Sequence, residues 1–429
     1  MSELVRLPYG FQDKEKVTVE VPKKNIIFYL KPNEVPGVND GLAEIKRALY
    51  NPLKAPRLDG FVKKGKKIAI LANDYTRMEC PDREFLLILY DEFKKIGINS
   101  EDVTVIIALG SHEPRDEKVI QKYGKDLYEK FNIINHSVAE EDLVDLGKTP
   151  SGTPIQLNKI VMNADIKIGL GNIIPHFIPG WGAGSKIVQP GVMGDDSTSR
   201  IHLLSVKHDV HHGSIYGEAE NPIRAEMDSM AKKVGLNFIV NSVINHEKEI
   251  VRVFAGDTVN AHRAGIETAK KVFFSRIPEK ADIVIASSHP ADYDLWQTTK
   301  GTYGATFATK KGGTAIIASA CRAGLSKIHG NTLLELVCED PYCILAKIEA
   351  GEIEDDPIGQ SIAAMWSEYK ERANIIVVTE GIPEQDLDTL GFGYAKSLDE
   401  ALELALKQQG KDAKIGIIES SGDIVAKVF

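Results

Sequence analysis

Short, near-continuous runs of Ile, Val and Leu, each ending in a polar turn and followed by a helix-like stretch, recur in two series along these 429 residues. The first series is KKIAILAND (66–74), VTVIIALGSH (103–112) and ADIKIGLGN (164–172), interleaved with segments such as REFLLILYDEFKKIG. Strands without alternating polar positions are buried on both faces, which a parallel sheet covered by helices provides. The rhythm restarts after residue 280 with ADIVIASSHP, GGTAIIASA, ANIIVVTEG and AKIGIIES. The prediction is therefore an α/β chain with two Rossmann-like α/β domains, 1–275 and 276–429, each built on a mostly parallel sheet. The last strand could return to the first domain. Ahead of the first series, KVTVEV and NIIFYL predict a hairpin or small sheet.

In open parallel sheets, ligands bind beyond the carboxyl ends of the strands, so the turns NDYTR, GSHEPRD, GNIIPHFIPG and SSHPADYD are candidates for one active-site cleft between the domains. A net charge of −9 argues against a nucleic-acid partner, because such a surface needs a basic face. No run approaches the length of a membrane span and MSELVRLPYGFQDKEKVTVEV has no signal-peptide core, so the expectation is a cytoplasmic enzyme. Cys80, Cys321, Cys338 and Cys343 form no CxxC pair, which argues against a disulfide framework or a structural zinc site.

The stretch PHFIPGWGAGSKIVQPG (175–191) reads as a loop opening a helix, with Gly180, Gly182 and Gly184 permitting close backbone approach to a phosphate or planar cofactor. It has neither the Walker A nor the GxGxxG spacing, and a plain tight loop competes with the nucleotide reading. Within it Lys186 is a solvated lysine or, if desolvated, a nucleophile or covalent tether. His112 and His176 follow strands, where paired imidazoles could act as acid and base on one carbon; taken singly, each also reads as a structural histidine. His202 could ligate a metal but has no HxxxH or CxxC partner. His208, His211 and His212 read as a polar helix end as readily as a zinc site. Asp74 and Arg77 form a strand-end acid and base, the arginine suited to a carboxylate, with Gln297 and Lys300 as further donors; a surface ion pair and a helix start compete.

In order and separation, LPYG, NDYTR, ALGSHEP, PHFIPGWGAGSKIVQPGV, His202 and WQTTKG resemble the lactate racemase family, the nickel-pincer nucleotide enzymes. The resemblance implies racemisation or epimerisation at C2 of a 2-hydroxy acid. It implies Lys186 as the covalent tether of a pyridinium-3,5-bisthiocarboxylic acid mononucleotide carrying Ni(II), and His202 as the protein ligand of the nickel. His112 and His176 match the catalytic histidines that move the hydroxyl proton while the C2 hydride passes to the cofactor ring and returns. Arg77, Gln297 and Lys300 match substrate-binding residues; Asp74, Trp296 and the amides of Gly180, Gly182 and Gly184 match cofactor contacts, Asp74 with orientation as its alternative role. The expected partners are the hydroxy acid and separate cofactor-synthesis enzymes that load the protein. Trp296 stands where lactate-specific members have tyrosine, Glu113 where many have arginine, and Trp366 is out of register with a second aromatic, so a substrate other than lactate is expected. The alternatives are a nucleotide-dependent dehydrogenase or dehydratase and a non-enzymatic nickel-nucleotide carrier.

Overall fold

The computed structural model describes all residues except 11–14, 111, 338, 354 and 429, so Ser111 of the GSH turn and Cys338 lie outside the described residues. The chain divides into two compact units, one of residues 34–204 with 215–272, the other of 1–33 with 205–214 and 273–429. The last of the four crossings falls at 272/273. The first 33 residues, predicted to belong with the N-terminal domain, group with the C-terminal unit.

In the first unit a six-stranded sheet runs in the order Ile250–Gly256, Phe238–Ile244, Ile166–Asn172, Ile68–Asn73, Val103–Ala108, Asn132–Asn135. All neighbours are parallel except the first pair. The helix Asp82–Ile96 shows why these segments fold locally. Asp82 and Glu84 occupy its positively polarised first turn, Lys94 and Lys95 its last, and Gly97 closes it at φ +79°. Its Phe85, Leu86, Leu89 and Phe93 share one core with Ile68, Ile70, Val105, Ile107, Ile168 and Leu170 of the strands.

The second unit carries a six-stranded sheet in the order Gly393–Ala395, Ala373–Val378, Thr309–Ala318, Ala281–Ser287, Ile415–Ile418, Ile26–Leu30, parallel throughout. KVTVEV forms the predicted hairpin, Glu15–Pro22 against Ser2–Tyr9, but NIIFYL does not join it. Instead Ile26–Leu30 becomes the edge strand beside Ile415–Ile418. The hairpin buries Val5, Leu7, Val19 and Val21 against Ile283, Ile285, Ile316 and Ile417, because a two-stranded ribbon cannot satisfy its apolar face alone. The last strand stays in this unit, Val425–Val428 pairing with Phe274–Ile277. Among the described residues no helix is long and apolar enough to cross a membrane.

Candidate active site

Three neighbouring parallel strands, Val103–Ala108, Ile68–Asn73 and Ile166–Asn172, end at the same edge of the first sheet. The outer two flank the middle one, so their ends stand about 10 Å apart. The turns leaving them carry His112, then Asp74 with Arg77, then His176 with Lys186.

Asp74 is buried and caps the short 3-10 turn Tyr75–Arg77, one carboxylate oxygen accepting from the amide of Thr76 (3.1 Å) and its hydroxyl (2.7 Å). The other oxygen is bonded to Nδ1 of His112. Burial alone would raise the Asp74 carboxyl, but the adjoining His112, its hydrogen bond and Arg77 outweigh that and hold it well below the usual carboxylate range. An ionised Asp74 requires the proton on Nδ1 of His112 and turns the lone pair of Nε2 outward. The turn is braced from behind by the buried ion pair of Lys122 and Asp82 (2.8 Å). The Lys122 ammonium also donates to the carbonyl of Asp74 (3.0 Å), and Asp82 accepts from the side chain of Asn73 (2.9 Å).

The 175–191 stretch does not open a helix directly. Pro175–His176 pairs with Gly180–Trp181 as a small hairpin, Lys186 sits on the 3-10 turn Gly184–Ile187, and the helix begins only at Asp195. Glycine is required at 184, where φ is +59° and an added Cβ would lie 2.8 Å from the ring of His262. Two of the three glycine amides expected at a phosphate have partners within the protein, the Gly182 amide donating to the Ile174 carbonyl (2.7 Å) and the Gly184 amide to Oδ1 of Asn241 (3.0 Å). The turn also rests on its own strand, since a Cβ at Gly169 or Gly171 would meet Ile187 at 2.7 Å or Ala183 at 2.8 Å.

Behind the turn is a polar cluster that the sequence reading missed. Buried Arg224 donates to the carbonyls of Ala183 (3.1 Å) and Trp181, and Ser185 bonds Asp228, which also pairs with Arg263 at 2.6 Å. Arg263 donates to Nδ1 of His262 (2.9 Å), leaving Nε2–H to donate to the carbonyl of Gly182 (2.7 Å). The available signal was Asn221-Pro222 starting a helix with Arg224 and Asp228 four residues apart on one face.

Lys186 is partly buried. Burial pushes its ammonium down to about 7, Arg77 and Arg224 push the same way, and Asp74 opposes them. An amine with that value is about half neutral, and to that extent nucleophilic, near neutrality. Acylation of Lys186 by a small amine-directed reagent is therefore expected to rise with pH through a midpoint near 7, whereas exposed lysines follow a midpoint near about 10.4. Peptide mass spectrometry across a pH series checks this, and a Lys186 midpoint among those of the exposed lysines would contradict it. The segment is tied to the His112 turn, the Gly110 amide donating to the Gly191 carbonyl at 3.0 Å.

His176 is buried and its ring stacks on Phe177, with centroids 4.9 Å apart. Its Nδ1 accepts from the amide of Ile178 (3.1 Å), which assigns the proton of the neutral ring to Nε2. His202 does the reverse, Nδ1 donating to the carbonyl of Thr198 (2.8 Å), which assigns the lone pair of the neutral ring to Nε2. Among the described residues no three His, Cys, Asp or Glu side chains could hold a metal together, which also leaves the His208, His211 and His212 group without a zinc cage.

In the second unit, Trp296, Gln297 and Lys300 lie on the first turns of the helix Leu295–Ala308, whose N-cap Asp294 accepts from the Gln297 amide at 2.7 Å. Lys300 Nζ donates to Oε1 of Gln297 (2.7 Å), so the two polar heads stand together. Trp296 stacks on His329, while Trp366 is wholly buried among Tyr369 and Phe392. Glu113 pairs with Arg115 at 3.3 Å.

The family model for the lactate racemase N-terminal domain matches residues 12–213, and that for the lactate racemase C-terminal domain matches residues 277–425. Over 99% of both chains the protein is 29% identical to the lactate racemase of Thermoanaerobacterium thermosaccharolyticum and 27% identical to that of Lactiplantibacillus plantarum. The lactate racemase apoprotein structure from the former organism matches 99% of this chain and 100% of its own with a TM-score of 0.87. A Thermotoga maritima structure, 19% identical, shares the fold over 90% of this chain and 98% of its own with a TM-score of 0.72. The class is thus an α/β isomerase. The chain belongs to the lactate racemase family.

Proposed function

We propose that the protein inverts C2 of a 2-hydroxy acid, using His112 and His176 as the acid/base pair and a nickel-pincer nucleotide tethered at Lys186. The observation that carries this reading is the opposite hydrogen-bonding of Nδ1 in the two histidines, to a carboxylate in His112 and from a backbone amide in His176. His112 is set by Asp74 to present a lone pair at Nε2, and His176 is set by the Ile178 amide to bear a proton at Nε2. They leave strands on either side of the Asp74–Arg77 turn. One can accept the proton of a substrate hydroxyl while the other supplies one, and the roles exchange for the opposite enantiomer.

The residues present fit the cofactor. Lys186 would supply an amine with a substantial neutral fraction for a thioamide, and His202 one borderline imidazole ligand, leaving the other positions of the metal to donors carried by the cofactor itself. When bound, the group supplies a reversible hydride acceptor. Arg77 would hold the substrate carboxylate, its guanidinium anchored on the carbonyl (3.2 Å) and hydroxyl (3.0 Å) of Thr76. Gln297 and Lys300 are assigned to the substrate, and Trp296 to cofactor contact, by family resemblance. Gly180, Gly182 and Gly184 shape the turn that places Lys186.

Asp74 positions His112. Asp74→Asn should lower kcat by about 10²-fold or more, as replacement of an orienting carboxylate does in other histidine dyads, while leaving the fold intact. Steady-state rates beside a circular dichroism spectrum check this, and an unchanged kcat would remove Asp74 from the mechanism.

Loading requires separate synthesis enzymes, so the test of function is co-expression with them followed by chiral chromatography of single enantiomers from a panel of 2-hydroxy acids. The expected result is conversion toward the mixture of both C2 configurations, with an acid other than lactate preferred because Trp296 and Glu113 depart from the lactate pattern. Accumulation of a keto acid instead would indicate a dehydrogenase.

A further inference from the structure

Two residues of the second unit, His329 and Asp356, have no assigned part in the inversion chemistry. The imidazole of His329 lies face to face with the indole of Trp296, with centroids 4.1 Å apart and planes 24° from parallel. Its Nδ1 is bonded to Oδ1 of Asp356 at 2.7 Å, and Asp356 is itself fixed by the Thr332 hydroxyl (2.7 Å) and the Gly359 amide (3.0 Å). Trp296 is fixed in turn through its amide, which donates to the Leu325 carbonyl at 3.1 Å. Stacking and the Asp356 bond together orient the ring of His329. Among the described residues its Nε2 makes no hydrogen bond, although His329 is only 8% exposed. The nitrogen is not sealed from solvent, so the small exposed part of the ring can receive a ligand.

Trp296 thus links the Gln297–Lys300 pair, on the same helix, to the imidazole of His329 stacked on its ring. We infer that His329 Nε2 is a specificity contact for a hydroxyl group at C3 of the substrate, so that the preferred acids are polyhydroxylated 2-hydroxy acids. The inference rests on the assignment of Gln297 and Lys300 to substrate binding. A hydroxyl suits this nitrogen in either protonation state, because it donates and accepts equally. A methyl group in the same place leaves the nitrogen unpaired, which discriminates against lactate. A distal carboxylate only accepts and would need the ring charged.

Glycerate differs from lactate by the C3 hydroxyl alone. For the loaded enzyme, kcat/KM for glycerate is expected to exceed that for lactate by about tenfold or more. His329→Phe keeps a ring for Trp296 to stack on but removes the nitrogen, and should bring this ratio to near one; His329→Gln should restore part of it. A purely structural role would lower both substrates in parallel and leave the ratio unchanged, overturning the inference. A wild-type preference for malate over glycerate would overturn it in favour of a dicarboxylic substrate. Calorimetric binding of glycerate and lactate to the same loaded proteins is expected to show the same change of ratio. This readout separates the two failures: absence of turnover on any 2-hydroxy acid would count against the racemase reading, and equal affinities would count against the His329 contact.

Discussion

Lys186→Ala, produced beside the cofactor-synthesis enzymes, is expected to carry no covalent mass increment and to show no turnover. The tether needs a neutral amine held against the strand-end turn, and several features converge on that one side chain. Gly169 and Gly171 let the turn lie on its strand, Arg224 and His262 hold the carbonyls of Trp181, Gly182 and Ala183, and burial with Arg77 keeps the amine near a value of 7. Arginine cannot substitute, because a guanidinium stays charged and is a poor nucleophile; Lys186→Arg should therefore fail as completely as alanine. Intact-mass spectrometry of the native protein and both variants decides the point. An increment persisting in Lys186→Ala would place the attachment elsewhere.

His112→Ala and His176→Ala should each lower kcat by about 10²–10⁴-fold in both directions of inversion, the range typical of a lost general acid or base. Loss in both directions is expected because each histidine serves as base for one enantiomer and as acid for the other. Metal content should survive, since His202 is held separately by Thr198. The double variant should lose less than the product of the two single losses, because the pair acts as a unit. Kinetics in both directions with metal analysis on the same samples checks this; near-normal rates in either single variant would rule out the two-base scheme.

Much of the fold was legible because buried parallel strands leave an unmistakable pattern: IAILAN, VTVIIA and IKIGLGN became three adjacent strands, and the residues just beyond them became the candidate site. The chain's first segments were not legible in the same way. The apolar face of the hairpin could be seen, but which sheet would cover it depended on tertiary packing, and NIIFYL carries no mark distinguishing a hairpin strand from a sheet edge. The glycines of 180–184 were recognisable as permissive backbone, yet two of their amides turned out to bond within the protein. The supporting groups Arg224, Asp228, His262 and Arg263 stand far from Lys186 in sequence, and each singly looks like an ordinary helix residue. His329 and Asp356 became conspicuous only once Trp296 was found stacked on the first and the second was seen to hold its Nδ1.

The central claim is that inversion proceeds by hydride transfer and return, with the histidines handling only the hydroxyl proton. It is tested most directly by converting a single enantiomer of an accepted 2-hydroxy acid with the loaded protein in deuterium oxide. The account predicts product of the opposite configuration that retains protium at C2. Deuterium at C2 of the product would show that the histidines remove the carbon-bound proton instead, and would contradict it.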